Sequence, residues 1–248
     1  MIKLRDRNLK LAFKNLFQAT KKDLVVIEPH LGLGDNLICL GLVRKMAAQR
    51  PTTCFYYACL QRCYHSLSWM FFDLPNVYLF AVRSGRQARQ YADFLNATYL
   101  PIGIENVDIK RFDAFFYEQH GVDFNLRWSD AKTPAGPRSQ QLLESLNPKR
   151  EPYILVCNEE SGYRSYDLRI DSPQGKKIIY VKPLTHNIFD WTGLALHADE
   201  IHTIDTAFVH FIESLFYQRN TPPLFYHLAR QSATEFTRRL PWQVINYS

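Results

Sequence analysis

The segment that most constrains this chain is Leu24-Val-Val-Ile-Glu28, followed by Pro29, the run His30-Leu-Gly-Leu-Gly-Asp35 and an apolar helical pattern to Met46. Unbroken apolar residues over 24–27 suit a strand buried on both faces, which is the usual condition of strands in parallel sheets covered by helices. Gly32 and Gly34 are expected to adopt backbone angles that a side chain would forbid. Asp35 falls at the N-cap or in the first turn of the following helix. In open α/β sheets, such a strand, glycine turn and helix form the place where a phosphate-bearing ligand meets a helix N-terminus. The same pattern also describes a plain capped turn, so this junction alone does not define a function.

The alternation continues along the chain. Strands are expected at 53–58, 77–82 and 98–102, with helices over 60–72 and 86–95. A helix from Phe112 closed by Gly121 is followed by an extended segment reaching Trp128. Pro134, Gly136 and Pro137 mark a linker. A short helix over 139–146 opens a second series: strands at 153–157, 177–181, 200–204 and 223–226, with helices over 188–197 and 207–216. The fold class is therefore α/β, as two Rossmann-like halves facing a cleft, where ligands bind. The expected division is a basic amphipathic helix at 1–22, a first domain at 23–137 and a second at 138–248.

Composition narrows the function classes. At 248 residues, 46% hydrophobic and 22% charged, the chain reads as a globular domain or pair of domains. Residues 1–22 hold seven Lys or Arg against one acid, which equals the whole net charge of +6. The remainder is balanced, which argues against a nucleic-acid surface. Leu9, Phe13, Leu16 and Phe17 make that basic segment amphipathic, leaving two readings: a helix packed on the first domain, or a peripheral contact with an anionic membrane surface. No apolar run is long enough to span a membrane, and no secretory signal pattern is present, so a cytoplasmic location is expected. The five cysteines lack zinc-site spacing and read as reduced, mostly buried thiols; no metal site is expected.

The second half carries its own polar cluster. In Glu200-Ile-His-Thr-Ile-Asp205-Thr-Ala-Phe-Val-His210, Thr203 and Thr206 supply hydroxyls, and the backbone N–H groups of Thr206 and Ala207 open a helix. Together they can cradle a diphosphate. Asp205 would cap that helix or bind a sugar hydroxyl; His210 lies one turn in. Arg164 and Lys182 follow neighbouring strands and would approach the same anion, because parallel strands share their carboxyl end.

These residues carry a resemblance. The glycine turn with Asp35, and the Thr-Ile-Asp-Thr turn and helix ending in His210, look like GT-B glycosyltransferases of the ADP-heptose:lipopolysaccharide heptosyltransferase type. A nearer likeness is to bacterial and giant-virus glycosyltransferase-like proteins, on His30-Leu-Gly-Leu-Gly-Asp35, Phe116-Tyr-Glu-Gln119, Arg127-Trp128, Asn187-Ile-Phe-Asp190 and Glu200-Ile-His-Thr-Ile-Asp205. The resemblance implies a nucleotide-sugar donor on the second half and a glycan or lipid-linked acceptor on the first. It implies Asp35 as general base, with His30, Gly32, Gly34 and Asn36 on the acceptor side. Donor contacts would come from Arg164, Lys182, Thr203, Asp205, Thr206, Ala207 and His210. The nucleotide-sugar is a co-substrate and no further cofactor is implied; the pathway would be surface polysaccharide synthesis at the inner face of the membrane. No Asp-x-Asp pair occurs, so a metal-independent transfer is expected.

Three other readings bear on the same turns. A nicotinamide or flavin enzyme is disfavoured because position 37 is Leu where a third glycine belongs, and no acid ends the second strand. A P-loop kinase is excluded by the absence of Gly-Lys-Ser/Thr after the turn. A non-catalytic nucleotide-sugar or glycan-binding module of the same fold stays open.

Overall fold

A computed structural model describes residues 23–104, 109–132, 134–161, 164–171, 175–230 and 235–247. The expected helix at 1–22 lies outside the described residues. The first sheet has strand order β3-β2-β1-β4, built from β1 (Leu24–Glu28), β2 (Cys54–Leu60), β3 (Val77–Val82) and β4 (Thr98–Pro101). All its pairings are parallel, with Val25 opposite Phe55 and Thr98. Val25, Val26 and Ile27 are wholly buried, as the unbroken apolar run required. Such burial contributes roughly 1.5–3 kcal/mol per side chain.

Its crossovers are α1 (Leu33–Ile38) and α2 (Leu40–Gln49), which break at Cys39 where one helix was expected, then α3 (Tyr64–Met70) and α4 (Gly85–Leu95). Past β4 come α5 (Phe112–Glu118) and α6 (Leu126–Ser129). The segment before Trp128 was expected to be extended. Instead Arg127 and Trp128 lie on α6 and are buried. Gly41 of α2 meets α6 backbone to backbone: a Cβ there would lie 1.9 Å from the Leu126 carbonyl oxygen. That close approach buries Trp128, whose large ring outweighs the modest cost of one short helical turn.

The second half opens with α7 (Ser139–Leu146). Its sheet has the order β6-β5-β7-β8-β9, from β5 (Tyr153–Cys157), β6 (Lys177–Tyr180), β7 (Glu200–Thr203), β8 (Leu224–Leu228) and β9 (Trp242–Asn246), again all parallel. β9 was not anticipated. A 3-10 turn at Ile188–Trp191 leads into α8 (Thr192–His197), and α9 (Ala207–Phe216) follows β7. Leu155, Cys157, Ile201 and Leu224 pack with Leu194, Phe208 and Phe211 of those helices. On the opposite face Ile154, Val156, His202 and His227 are buried as well. One continuous apolar cluster runs from Val25 of the first sheet to Leu224 of the second. Among the described residues no helix is long and apolar enough to cross a membrane.

Candidate active site

On the first half, β1 delivers the glycine turn. Its last residue, Glu28, is 7% exposed; it accepts a hydrogen bond from the Tyr99 hydroxyl and lies beneath Gly85, where a Cβ would come within 1.6 Å of Oε1. This carboxyl is taken up by Tyr99 and packed under the start of α4. His30 is exposed at one edge, stacked on Phe116 with ring centroids 5.7 Å apart, and its Nε2 meets the Gly103 carbonyl. Asn36, expected on the acceptor side, is fully buried. Its Nδ2 donates to the carbonyls of His30 (3.1 Å) and Gly32 (2.5 Å), and its Oδ1 accepts from the Tyr57 hydroxyl (2.7 Å). It holds the loop in shape and has no face left for a ligand.

The two glycines are needed for space and not for unusual angles. Gly32 has φ −67° and the positive-φ glycines are elsewhere. A Cβ on Gly32 would stand 2.6 Å from Asp35 Oδ2, so the carboxylate folds back over this residue. A Cβ on Gly34 would stand 3.1 Å from His210 Cδ2 and 3.5 Å from Ala207 Cα. The glycine turn of the first half is thus seated directly on the start of α9 in the second. Asp35 itself is partly buried, and burial pushes its carboxyl above the ordinary range; His30 offsets this in part and the facing charge of Asp205 adds to it.

On the second half, β7 and β8 end at the same edge. The expected cap Asp205 is displaced by Thr206, whose φ of −148° is extended and whose Oγ1 accepts from the Phe208 N–H at 3.2 Å. Thr203 is wholly buried and its hydroxyl donates to the Ile204 carbonyl at 3.0 Å. It therefore cannot reach a diphosphate, contrary to expectation; the period of two in β7 turns its side chain inward. Asp205 is 8% exposed, with Oδ2 3.7 Å from Arg230 Nη1. Arg230 also donates to the Asp205 carbonyl and brings Nε to 3.0 Å from Glu160 Oε2. Lys182 pairs with Glu159 at 2.6 Å. Arg164 is exposed and lies over the Tyr166 ring at 5.0 Å, taking no part in this row of charges.

His210 is the centre of a buried cluster that joins the halves. Its Nδ1 lies 3.2 Å from Arg127 Nη2 and its ring meets Phe236 at 4.6 Å. Arg127 is 2% exposed, ion-paired to Asp113, with its guanidinium 4.9 Å from the Trp128 ring. Burial, then the Arg127 charge, drives the His210 imidazole far below its ordinary value, so it is neutral. Asp35, Gly34, Asp205, Thr206, Ala207 and His210 are thereby gathered at one seam. The sequence motifs include Arg127 without giving it a role, and Glu159, Glu160 and Arg230 emerge only from the fold. The one available signal was a single base in each apolar surrounding, Asn-Leu-Arg-Trp and His-Leu-Ala-Arg.

Two parallel α/β sheets meeting at such a seam make a GT-B-like fold. The chain is similar to a glycosyl transferase family 9 structure from Veillonella parvula DSM 2008, with TM-score 0.54, 10% identity, and 92% of this chain and 86% of that one covered. It is similar too to E. coli ADP-heptose lps heptosyltransferase II, with TM-score 0.51, 13% identity, and 90% of each chain covered. At this identity the likeness is one of fold. No protein-family model matches the sequence, and no curated protein matches it.

Proposed function

We propose that the protein is a glycosyltransferase moving a hexosyl or heptosyl group from a nucleotide-sugar to a hydroxyl of a glycan or lipid-linked acceptor, as a step in surface polysaccharide synthesis. The observation that carries this reading is the seating of Gly34 on Ala207 and His210, which brings the next residue, Asp35, to the turn that opens α9, where the Asp205 charge acts on its carboxyl. In the proposed reaction Asp35 takes the proton of the acceptor hydroxyl as its oxygen attacks the anomeric carbon. The bond from that carbon to the diphosphate breaks, and its electron pair leaves with the nucleoside diphosphate. A single displacement of this kind inverts the anomeric configuration. A carboxyl raised by burial is the stronger base once ionised.

The leaving diphosphate would lie at the N-terminus of α9, where the N–H of Thr206 and of Ala207 and the helix dipole stabilise charge as it develops. Arg230, which contacts Asp205, would border that position and Lys182 would approach it from the end of β6; no metal is invoked. Residues 1–22 would supply a peripheral contact with the inner face of the membrane. The test is nucleoside diphosphate release by the purified protein across a panel of sugar nucleotides with and without glycan acceptors. Asp35→Asn should retain the donor's thermal shift and lose turnover. Silence across the panel with no thermal shift would sink the proposal.

A second reading has one observation in its favour. Lys182 and Arg230 are already matched by Glu159 and Glu160. A binding module without transfer would show the thermal shift and no product for either form.

A further inference from the structure

We propose that Arg127 is a positioning residue that occupies Nδ1 of His210 and so fixes this imidazole as a neutral ring with its proton on Nε2, presented at the seam between Gly34 and the start of α9. The argument begins with the donor inventory. A guanidinium has only N–H donors, so at 3.2 Å from Arg127 Nη2 the Nδ1 atom of His210 must offer its lone pair. A neutral imidazole has one proton, which then resides on Nε2. That nitrogen is the one near the glycine turn: a Cβ on Gly34 would stand 3.6 Å from it.

Arg127 is itself held on every side. Asp113 pairs with its Nη1 while also accepting from the backbone N–H of Ala114 (2.9 Å) and Thr237 (2.7 Å). The rings of Phe124, Trp128 and Phe236 lie 5.9, 4.9 and 5.8 Å from its guanidinium carbon. The charged groups around His210 are Asp35 on α1, Arg127 on α6, Asp113 on α5, Asp205 before α9, Glu213 one turn further along α9, and Arg238 in the tail. Glu213 is occupied by the Trp128 and Trp242 indoles at 3.0 and 2.6 Å, and Arg238 lies 4.7 Å over the Tyr226 ring. Protonating His210 would set a second cation against Arg127, and among the described residues Nδ1 is shown facing that guanidinium.

The consequence for chemistry rests on the glycosyltransferase reading: His210 is an N–H donor to an oxygen of bound substrate whose strength does not vary over the neutral range, and it is not a general acid. The tautomer itself does not depend on that reading. Long-range proton–nitrogen correlation spectra of the wild-type protein should show His210 protonated at Nε2 and unchanged between about pH 5 and pH 8. Arg127→Met should mix the tautomers, make the ring titrate and lower kcat about tenfold with little change in donor KM, adding a limb to the pH–rate profile. Arg127→Lys, which retains a donor, should restore the tautomer. A wild-type ring carrying its proton on Nδ1, or titrating near its ordinary value, overturns the proposal even if Arg127→Met does not fold. An unaltered tautomer and pH profile in a folded Arg127→Met does the same. The expected tautomer in a protein without turnover would leave this assignment standing and count against the transfer reading alone.

Discussion

His210 rests on the backbone of Gly34, its Cδ2 only 3.1 Å from where a Cβ at that residue would be. A methyl group there has to push back a ring that Arg127 and Phe236 already confine. Gly34→Ala is expected to cost about 1–3 kcal/mol of stability. Because the strain falls on the seam, turnover should drop by more than tenfold while circular dichroism stays native. Equal activity in the two proteins would show that the seam is not where transfer occurs.

Asp35 is a partly buried carboxylate whose folded-state value lies above the unfolded one. A group shifted upward opposes folding when ionised, so its contribution is unfavourable at neutral pH and fades as pH falls through the folded value. Asp35→Asn should therefore raise the Tm at neutral pH while abolishing nucleoside diphosphate release. A lower Tm would mean that the carboxylate is structural.

Glu213, 1% exposed, accepts from the Trp128 and Trp242 indoles and from the backbone N–H of Arg239 (3.0 Å) and Leu240 (3.3 Å). It ties the tail that carries β9 to both α6 and α9. Glu213→Ala leaves those buried donors unmatched and should destabilise by about 3–5 kcal/mol in urea unfolding, with Trp fluorescence reporting release of the tail. A loss under about 1 kcal/mol would show that the tail is held by apolar packing instead.

A second buried group of side chains, around His202 and His227, is expected to add to the loss of stability in acid. His202 Nδ1 is 2.9 Å from His227 Nε2, whose partner Nδ1 is 2.8 Å from the Tyr247 hydroxyl, and Glu200 and Asp171 flank His202. Burial lowers both rings, His227 to about 4. The unfolded chain binds protons near the ordinary value of 6.5 and the folded chain does not, so stability is flat above that pH and declines as pH falls toward about 4. Urea midpoints measured across this window should show the slope, and His227→Gln should reduce it. An unchanged slope would place the acid sensitivity elsewhere.

Local pattern made much of this chain legible. The ranges 77–82, 139–146, 153–157 and 207–216 coincide with β3, α7, β5 and α9, because each has one apolar period bounded by turn residues. β9 escaped because Trp242-Gln-Val-Ile-Asn246 has no strong period and gains its place from pairing with β8 and from Glu213. The glycines of the turn serve close approach and not unusual backbone angles, and a close approach between distant segments leaves no trace in one segment's composition.

The amino-acid order by itself determined the alternating strands and helices, the shared carboxyl edge of each sheet and the two polar turns, since all of these follow from short-range period and turn chemistry. Only the tertiary structure decided which polar residues are spent on holding the fold, as Asn36, Thr203 and Glu28 are, and which are left at the seam, as Asp35 and His210 are. The physical reason is that a polar side chain's role depends on which donors, acceptors and charges surround it, and here those come from segments as distant in sequence as Gly34 and His210.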